Sequence, residues 1–284
     1  MFQTIQSDER GVMYKNGAYA GLLMPGKHFT FNDIEVFKLG HYFRSDQNIK
    51  ILLENKDLEE QLISFEVKDD QVAIYTIDGN FSSVVSRSGT YAVWKGPWKQ
   101  EILIYDISEP FIEDKQVLKW CRKGLLSNET NMQVLPSGVK GMLYVDQKPV
   151  KIVEPGTYFV WRGSKPAHIV SVDGRQQVME LSGQELISKD KIMLRINFAA
   201  TYQITDIEKA LHNSSNYTSQ IYNIMQLALR AYIGGYSLED IFNKKDEISG
   251  AVLTNAKEAC EAIGIKLISA GIKDIILPGE IKDI

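Results

Sequence analysis

Apolar residues occupy every second position along one stretch of the C-terminal half, between positions 191 and 204. The apolar positions are Ile192, Leu194, Ile196, Phe198 and Ala200. Successive side chains of a strand point to opposite faces of a sheet, so a period of two indicates a strand with one buried face. The sequence therefore predicts a half-buried strand here.

After this strand the apolar period becomes that of an α-helix, up to about position 263. Asp206, Asn216 and Ser237 are predicted N-caps, and Gly264 is predicted to end the last helix. The apolar stripes are Ile221, Met225, Ala228, Leu229 and Tyr232, then Ile248, Val252, Ala256, Ala259 and Ile263. A second apolar strand follows. This order predicts that the second strand returns beside the first and that the helices cover one face.

The first half of the chain repeats one pattern three times. Each copy has an apolar strand with a tyrosine, a polar turn, a second strand, and a glycine before an aromatic strand. The tyrosines are Tyr14, Tyr75 and Tyr144, and the glycines are Gly26, Gly89 and Gly156. Asn16-Gly17 and Asp78-Gly79 suit tight hairpins because these residue types tolerate positive φ. Chance recurrence of hairpins is the alternative, but the shared order favours duplication of a unit of about 60 residues that is stable when stacked.

Two connectors separate the copies. The first, at 40–60, is polar, and residues 48–53 are predicted to form a short strand. The second, at 110–136, contains an amphipathic stretch at 117–126. Its apolar and cationic side chains suggest contact with a membrane surface or a partner, through Trp120, Leu125, Leu126, Lys119, Arg122 and Lys123. A helical linker that packs on the sheet is the favoured interpretation, because ten residues are few for stable binding to a surface.

Composition narrows the class of protein. The 284 residues are 44% hydrophobic and 24% charged, which is typical of a globular chain. A net charge of −4 provides no electrostatic basis for nucleic-acid binding. With only Cys121 and Cys260, no disulfide framework is possible, so we expect a reducing compartment. No apolar run reaches the roughly 18 residues that span a bilayer, and residues 1–10 lack a signal-peptide pattern, so any membrane contact is expected to be peripheral.

No motif predicts catalysis or the binding of a cofactor or metal. His28, His41, His168 and His212 are not at helical spacing from one another, and neither cysteine has a CxxC partner. The chain has no P-loop, nucleophile elbow or dinucleotide fingerprint. We therefore expect no catalytic, cofactor or metal site and no enzymatic activity. The aromatic residues of the repeats leave a platform for a carbohydrate or a peptide as an alternative.

Six ordered motifs of the C-terminal half resemble the SPFH domain, also called the band 7 or prohibitin-homology domain, and within it the stomatin or slipin group. They are QELISKDK at 184–191, ATYQITD at 200–206, LALR at 227–230, LEDIF at 238–242, AIGIK at 262–266 and IKDIILPG at 272–279. Ordered motifs over about a hundred residues are more specific than any one of them. The third repeat begins where the family's first subdomain begins, so the resemblance covers residues 134–284.

The resemblance implies a non-enzymatic, membrane-associated scaffold that assembles into rings or cages, organises membrane regions and regulates partner proteins. The chain is similar to a bacterial slipin. The resemblance implies a location in the cytoplasm, peripheral to the cell membrane. The implied partners are further copies of the chain, the membrane surface, and a NfeD-type membrane protein or a membrane protease, but no nucleic acid. The alternative is a soluble binding module whose β-repeats capture a peptide, a protein or a carbohydrate.

The chain departs from the family pattern at both ends. Family members usually start with a hydrophobic anchor and continue past the Leu-Pro-Gly motif into a coiled coil, so we expect assembly to need a coiled coil beyond Ile284. Two repeats precede the minimal family domain. The predicted fold is α+β, with β-rich units at 1–66 and at 67–133, where the second includes its connector. The first SPFH subdomain is predicted at 134–190 and the second, of strand–helices–strand order, at 191–284.

Overall fold

The protein is described by a computed structural model, which covers residues 2–163, 165–213 and 216–277. The fold is α+β, as predicted, with strands alone or with short helices in the first half and longer helices in the second. Contacts divide the chain into two compact units. The N-terminal unit comprises Met1–Met132 and Tyr158–Ala167, and the C-terminal unit comprises Gln133–Thr157 and His168–Ile284. The predicted borders after residues 66, 133 and 190 stay a prediction.

Three consecutive segments of five strands share one strand order. The first contains β1 (Phe2–Ile5), β2 (Glu9–Lys15), β3 (Ala18–Leu23), β4 (Gly26–Phe29) and β5 (Asp33–Lys38). The second contains β6 (Leu62–Val67), β7 (Gln71–Ile77), β8 (Asn80–Val85), β9 (Gly89–Trp94) and β10 (Gln100–Asp106). The third contains β11 (Thr130–Leu135), β12 (Val139–Val145), β13 (Lys148–Val153), β14 (Gly156–Trp161) and β15 (Ala167–Asp173). In each segment the first strand pairs with the fourth, and the second strand lies between the third and the fifth.

The hairpin of each segment turns through two residues of positive φ. The turn residues are Asn16-Gly17 and Asp78-Gly79 in the first two hairpins, as predicted. In the third hairpin they are Asp146-Gln147, which adopt positive φ without a glycine. This geometry matches the right-handed twist of the flanking strands. The pairing register then shifts at the same step, between the third and the second residue before the turn. A bulge at an equivalent place in all three hairpins supports a common origin of the segments.

The three tyrosines of the repeated pattern are not equivalent in the structure. Tyr14 and Tyr144 stand two residues before the first turn residue, whereas Tyr75 stands three residues before it. Because side chains alternate along a strand, Tyr75 points to the opposite face of its sheet. The residue of the second segment that corresponds to Tyr14 is therefore Thr76, which is also buried.

The second and third segments each form backbone hydrogen bonds with a short extended stretch that follows the fifth strand of the preceding segment. After β5, the Phe43 N–H donates to the Ala92 carbonyl of β9 at 2.8 Å, and the Trp94 N–H donates to the His41 carbonyl at 2.9 Å. We call residues 41–43 the first donor segment. It extends the β6–β9 pair by a third strand-like element, with an isolated antiparallel bridge between Tyr42 and Val93.

The same arrangement recurs one segment later. The Ile112 N–H donates to the Phe159 carbonyl of β14 at 3.1 Å, and the Trp161 N–H donates to the Pro110 carbonyl at 2.7 Å. Phe111 forms the isolated bridge, with Val160. We call residues 110–112 the second donor segment.

Each donor segment is followed by helical structure that closes a core. The first core contains α1 (Ile49–Leu52) and α2 (Lys56–Glu59), and the second contains α3 (Lys115–Arg122). The predicted strand at 48–53 is wrong, because the Asn48 side chain accepts the Lys50 N–H and caps α1. The buried members are Val12, Tyr14, Phe43, Leu52, Leu58, Leu62, Ala92 and Trp94 in the first core. They are Val72, Ile74, Ile107, Ile112, Val117, Trp120, Cys121, Leu126, Phe159 and Trp161 in the second.

The C-terminal unit adds a three-stranded antiparallel sheet in the order β16 (Gln177–Ile187), β17 (Met193–Ile204) and β18 (Ile265–Ile276). The last strand returns beside β17, as predicted. Between them lie α4 (Ile207–His212), α5 (Tyr217–Ile233), α6 (Leu238–Asn243) and α7 (Lys245–Ala262). The predicted N-caps Asp206, Asn216 and Ser237 are confirmed, since each side chain accepts a backbone N–H of its helix.

The core of the C-terminal unit lies between this sheet and the helices. Alternate residues of β17 from Leu194 to Ile204 are buried, which confirms the predicted period of two. The predicted stripe of α7 is correct except at one turn, where Cys260 is buried and Ala259 is exposed. The helices cover one face of the sheet, and the opposite face carries the exposed residues of the three strands.

Candidate functional site

The predicted contact on α3 divides into buried and exposed residues. Asp114 caps the helix by accepting the N–H groups of Gln116 and Val117, so its start is fixed. Trp120 packs in the second core with its ring 5.9 Å from that of Phe81, and Leu126 is also buried there. A surface contact through Trp120 and Leu126 is therefore wrong, because neither side chain reaches solvent.

The rest of that predicted contact remains accessible. Leu125 and the cations Lys119, Arg122 and Lys123 are exposed. A membrane or partner contact through these four side chains stays a prediction. The burial of Trp120 agrees with the favoured interpretation, a helical linker that packs on the sheet.

The uncovered face of the C-terminal sheet carries ordered charges in its middle. Arg195 donates to Glu185 at 2.7 Å, and Lys273 donates to Glu180 at 2.8 Å. These pairs are exposed and each contributes little to stability. Their geometry does, however, arrange both signs of charge across all three strands, which suits a surface that must recognise one register of a neighbour.

An apolar notch adjoins these charges at one end of the same face. Ile187, Met193 and Ile276 are exposed there, and β17 pairs Met193 with Ile187 and Arg195 with Ile276. A cavity of about 310 Å³ opens beside Met193 and Ile276, and it is lined also by Leu194 and Leu277. Exposed apolar side chains grouped beside ordered charges are typical of protein–protein contacts.

Both outer strands of this sheet have an edge without a strand partner, although the Ile272 N–H of β18 donates to the Ser249 hydroxyl of α7 at 3.3 Å. Within the part of the chain that the structure describes, β16 and β18 each pair only with β17. They are 11 and 12 residues long. A long outer strand exposes backbone N–H and C=O groups and is a template for pairing with another chain. Edge, notch and charged band together form a candidate interaction surface, which we call the sheet surface (residues 178–187, 193–203 and 266–277).

The charges around α6 interact mainly with their own neighbours. Lys244 pairs with Asp240 at 3.1 Å and lies over the Tyr236 ring, and Lys245 lies over the Phe242 ring. These contacts fix the turn between α6 and α7. Glu239 and Asp246 are exposed, so the charged helix face that the sequence suggests for subunit contacts is only partly free of internal partners.

A groove crosses the N-terminal unit beside the first donor segment. Two adjoining cavities of about 490 and 520 Å³ share Tyr42, Arg44 and Ser83. Tyr75 and Trp98 line the first cavity. The Tyr42 and Ser83 hydroxyl oxygens are 3.0 Å apart, and burial raises the pKa of Tyr42, so its hydroxyl stays protonated. Aromatic faces, hydroxyls and a guanidinium suit a sugar or an extended peptide.

The remaining reactive groups have packing roles. Burial raises the pKa of the Cys260 thiol to about 11, and burial also raises the pKa of Cys121, so neither is a thiolate near neutral pH. His168 stacks on Tyr144 with ring centroids 5.4 Å apart, and His212 lies on the same ring at 6.3 Å. Among the described residues, no three His, Cys, Asp or Glu side chains are grouped to hold a metal ion.

Comparison with known proteins decides the family. The model of the SPFH domain / Band 7 family matches residues 133–284, more than half of the chain. The chain belongs to this family. The match confirms the resemblance over 134–284 and places the third strand segment, from Gln133 onward, inside the SPFH domain. Of its motifs, Pro278 and Gly279 lie outside the described residues.

Similar proteins come from archaea and animals. An uncharacterized protein from Methanocaldococcus jannaschii is 32% identical over 114 residues, which cover 40% of this chain and 57% of that protein. A stomatin homolog from Pyrococcus horikoshii is 32% identical over 124 residues, covering 44% and 46%. Stomatin from Mus musculus is 25% identical over 128 residues, covering 45% and 44%. The chain spans about half the length of the curated relatives it matches.

The SPFH match and the stomatin-like relatives support a membrane-associated scaffold as the class of protein. No helix of the described residues has the length and apolar character that crossing a bilayer requires. The sheet surface of the SPFH domain was not found from the sequence, although one signal was present. Met193 is an apolar residue on the otherwise polar face of an alternating strand.

Proposed function

We propose that this protein is a non-enzymatic, membrane-associated scaffold whose SPFH domain assembles with further copies of the chain. The observation that carries the proposal is the sheet surface, which combines an apolar notch and both signs of charge on one face of the SPFH sheet with the outer edges of β16 and β18. Scaffolds need such extended surfaces, since burial of apolar area and strand edges drives association.

The proposal extends to location and partners through the family. We place the protein at the cytoplasmic surface of a bacterial membrane, held there peripherally. Copies of itself and the membrane are its first partners, and a NfeD-type membrane protein or a membrane protease is the kind of protein it would regulate. A coiled coil beyond Ile284 would strengthen assembly, because heptad helices add a second contact between the same copies.

Mass photometry of the chain on supported bilayers or in nanodiscs tests this function. The double variant Met193→Glu with Ile276→Glu places two carboxylates in the notch. Burying an apolar side chain of this size contributes about 1.5–3 kcal/mol, so we expect at least a tenfold higher concentration for half-assembly. Ile104→Glu is the matched control, since Ile104 is equally exposed but lies on β10 of the N-terminal unit.

A single copy at every concentration, with no flotation on neutral or anionic vesicles, would contradict the scaffold. Equal loss of assembly in the double variant and in the control would contradict the sheet surface as the contact.

A second candidate function is a binding module built on the β-repeats. The groove at Tyr42, Arg44 and Trp98 favours it. Arrays of oligosaccharides and of short peptides, probed with the chain and with Trp98→Ala, test it directly. We expect a retained ligand to be lost in the variant, and no retained ligand on either array would remove this candidate.

A further inference from the structure

The three strand segments can be aligned in sequence through the glycine that opens the fourth strand, Gly26, Gly89 or Gly156. The third residue after that glycine is Phe29, Ala92 or Phe159, and the fifth is Phe31, Trp94 or Trp161. In the second and third segments these are the residues that the donor segments bind. The third residue accepts a hydrogen bond through its carbonyl, and the fifth donates one through its N–H.

The donor segments bury both positions where they are present. Trp94 is 0% exposed and lies 5.4 Å from the ring of Phe43, which the first donor segment supplies. Trp161 is 5% exposed and shares its core with Ile112 of the second donor segment. The two donor segments have one pattern, an aromatic residue followed by an apolar one, Tyr42-Phe43 and Phe111-Ile112.

In the first segment the structure leaves the two equivalent residues exposed. Phe31 is 90% exposed and Phe29 is 58% exposed. Within the described residues, no bridge joins β4 to anything but β1. β4 is four residues long, whereas β9 and β14 are six. β4 thus ends two residues before Phe31, whereas β9 and β14 extend to Trp94 and Trp161, the equivalent residues that the donor segments bind.

The exposed rings are grouped into one surface. Phe29 lies 5.0 Å from Phe2 and 5.2 Å from Phe31, measured between ring centroids. All three are among the exposed apolar residues, and Met24 nearby is also exposed. Water-exposed aromatic clusters of this kind mark interaction sites.

We propose that β4 is an acceptor site for an extended peptide segment in which an aromatic residue precedes an apolar one. The segment pairs antiparallel with β4 through the Phe29 carbonyl and the Phe31 N–H, and it covers these two residues as residues 41–43 cover Ala92 and Trp94. This is strand addition, in which backbone hydrogen bonds provide affinity and alternate side chains provide specificity.

The occupant is a peptide because both equivalent acceptors of this chain hold one. A membrane is disfavoured by charge, since an anionic surface is bound by clusters of cations and Lys27 is the sole Lys or Arg of β1 and β4. A second copy is disfavoured because its donor segments are already hydrogen-bonded within their own chain. The proposal does not rest on assembly through the SPFH domain, and it gives the second candidate function a specific site.

Synthetic peptides copied from the donor segments test the site. They are KLGHYFRS, residues 38–45, and ISEPFIED, residues 107–114. Fluorescence anisotropy of each labelled peptide is measured against the full chain. We expect saturable binding that falls at least tenfold when the first peptide carries Tyr42→Asp and Phe43→Asp. Amide chemical shifts of the chain should change at residues 2–5 and 26–31.

Variants of the chain locate the binding. Phe31→Ser should reduce peptide affinity at least tenfold with an unchanged Tm, because the ring is exposed in the free protein. Val150→Ser removes another exposed apolar side chain, from the hairpin of the third segment, and should leave affinity unchanged.

Three outcomes would overturn the proposal. The first is no saturable binding up to about 1 mM peptide, which corresponds to less than about 4 kcal/mol. The second is self-association of the chain that Phe31→Ser abolishes, which would assign the site to a second copy. The third is vesicle flotation that Phe31→Ser abolishes while the peptides stay inert, which would assign it to a membrane.

Discussion

Gly264 serves two purposes at one residue. It ends α7 with a φ of +76°, and its carbonyl accepts the N–H groups of Thr205 and Asp206 at 3.0 and 3.1 Å. A Cβ at this position would overlap the Asp206 carbonyl oxygen. The helix stop was predicted from the sequence, but the close approach to the start of α4 was not, because it joins residues far apart in the chain.

Gly264→Ala should lower the free energy of unfolding by about 3 kcal/mol, since it combines left-handed strain with a backbone clash. Gly250→Ala is the matched control. Gly250 lies within α7 with open space around it, so alanine should add about 0.5–1 kcal/mol through helix propensity. Urea denaturation measures both, and equal effects would show that position 264 is not constrained as described.

Asp206 provides a pH-dependent contribution. Its carboxylate accepts the Lys209 N–H, and this hydrogen bond holds the pKa of Asp206 below its ordinary value of 3.8. A lowered pKa contributes stability that is complete above pH 3.8 and is lost as the pH falls through the lowered value. Asp206→Ala should therefore cost about 1 kcal/mol at pH 7, where the cap is intact.

The pH profile separates the cap from the charge. Asp206→Asn keeps a capping oxygen, so it should lose less stability than alanine at pH 7 and show a flatter acid limb. Thermal unfolding between pH 2 and 7 checks this. An acid limb as steep in Asp206→Asn as in the unaltered chain would mean that another carboxylate is responsible.

Side-chain caps such as Asp206 were predictable because donor and acceptor lie within three residues of each other. The environment of Trp120 was not predictable, since the residues that bury it come from β7, β8 and β14. An amphipathic pattern states which face is apolar and leaves open whether protein or lipid covers it. That ambiguity explains the incorrect surface assignment of Trp120 and Leu126.

At the scale of the element, α3 and the turn after it offer a direct comparison of two neighbouring leucines. Leu126 is 0% exposed and Leu125 is 40% exposed. Leu126→Ala should destabilise the chain by about 2–5 kcal/mol through lost burial and a cavity, whereas Leu125→Ala should change stability by less than about 0.5 kcal/mol. Chemical denaturation distinguishes them. A comparable loss of unfolding free energy in the two variants would place both leucines in the core. It would then contradict the predicted membrane or partner contact through Leu125.

The hairpins illustrate which elements sequence can reveal. Asn16-Gly17 and Asp78-Gly79 encode a turn within two residues, so β2–β3 and β7–β8 were found. β1, β6 and β11 were missed because each pairs with a strand some 20 or more residues away, without a local signal. The prediction of a strand at 48–53 failed for a related reason, since six residues of which four are apolar fit a strand and a helical turn equally well.

At the scale of the whole molecule, the segments of the N-terminal unit stabilise one another through shared cores. Trp94→Ala and Trp161→Ala should each cost about 3–5 kcal/mol, because each ring joins a donor segment to its acceptor. Phe31→Ala changes the equivalent residue of the first segment and should cost less than about 0.5 kcal/mol. Hydrogen exchange should show faster exchange throughout the N-terminal unit for the two tryptophan variants alone. A large cost for Phe31→Ala would mean that the first acceptor is already covered.

Family membership was predictable at this scale, since ordered motifs survive where overall similarity is low. The interaction surfaces were not. Met193 and Ile276 come together only because β18 returns beside β17 in one particular register, and Phe2, Phe29 and Phe31 meet only through the pairing of β1 with β4. Side chains that gather from distant strands leave no local pattern in a single sequence.

The two donor segments give the N-terminal unit a polarity, because residues 41–43 and 110–112 both pass forward to the next segment. Every middle segment brings one acceptor and one donor of matching chemistry. A duplicated second segment inserted after residue 61 would therefore find compatible neighbours on both sides. The architecture therefore permits the chain to be lengthened by one whole segment at a time. Each added segment would increase the number of residues between the aromatic cluster of the first segment and the SPFH domain, and no interface would have to be redesigned.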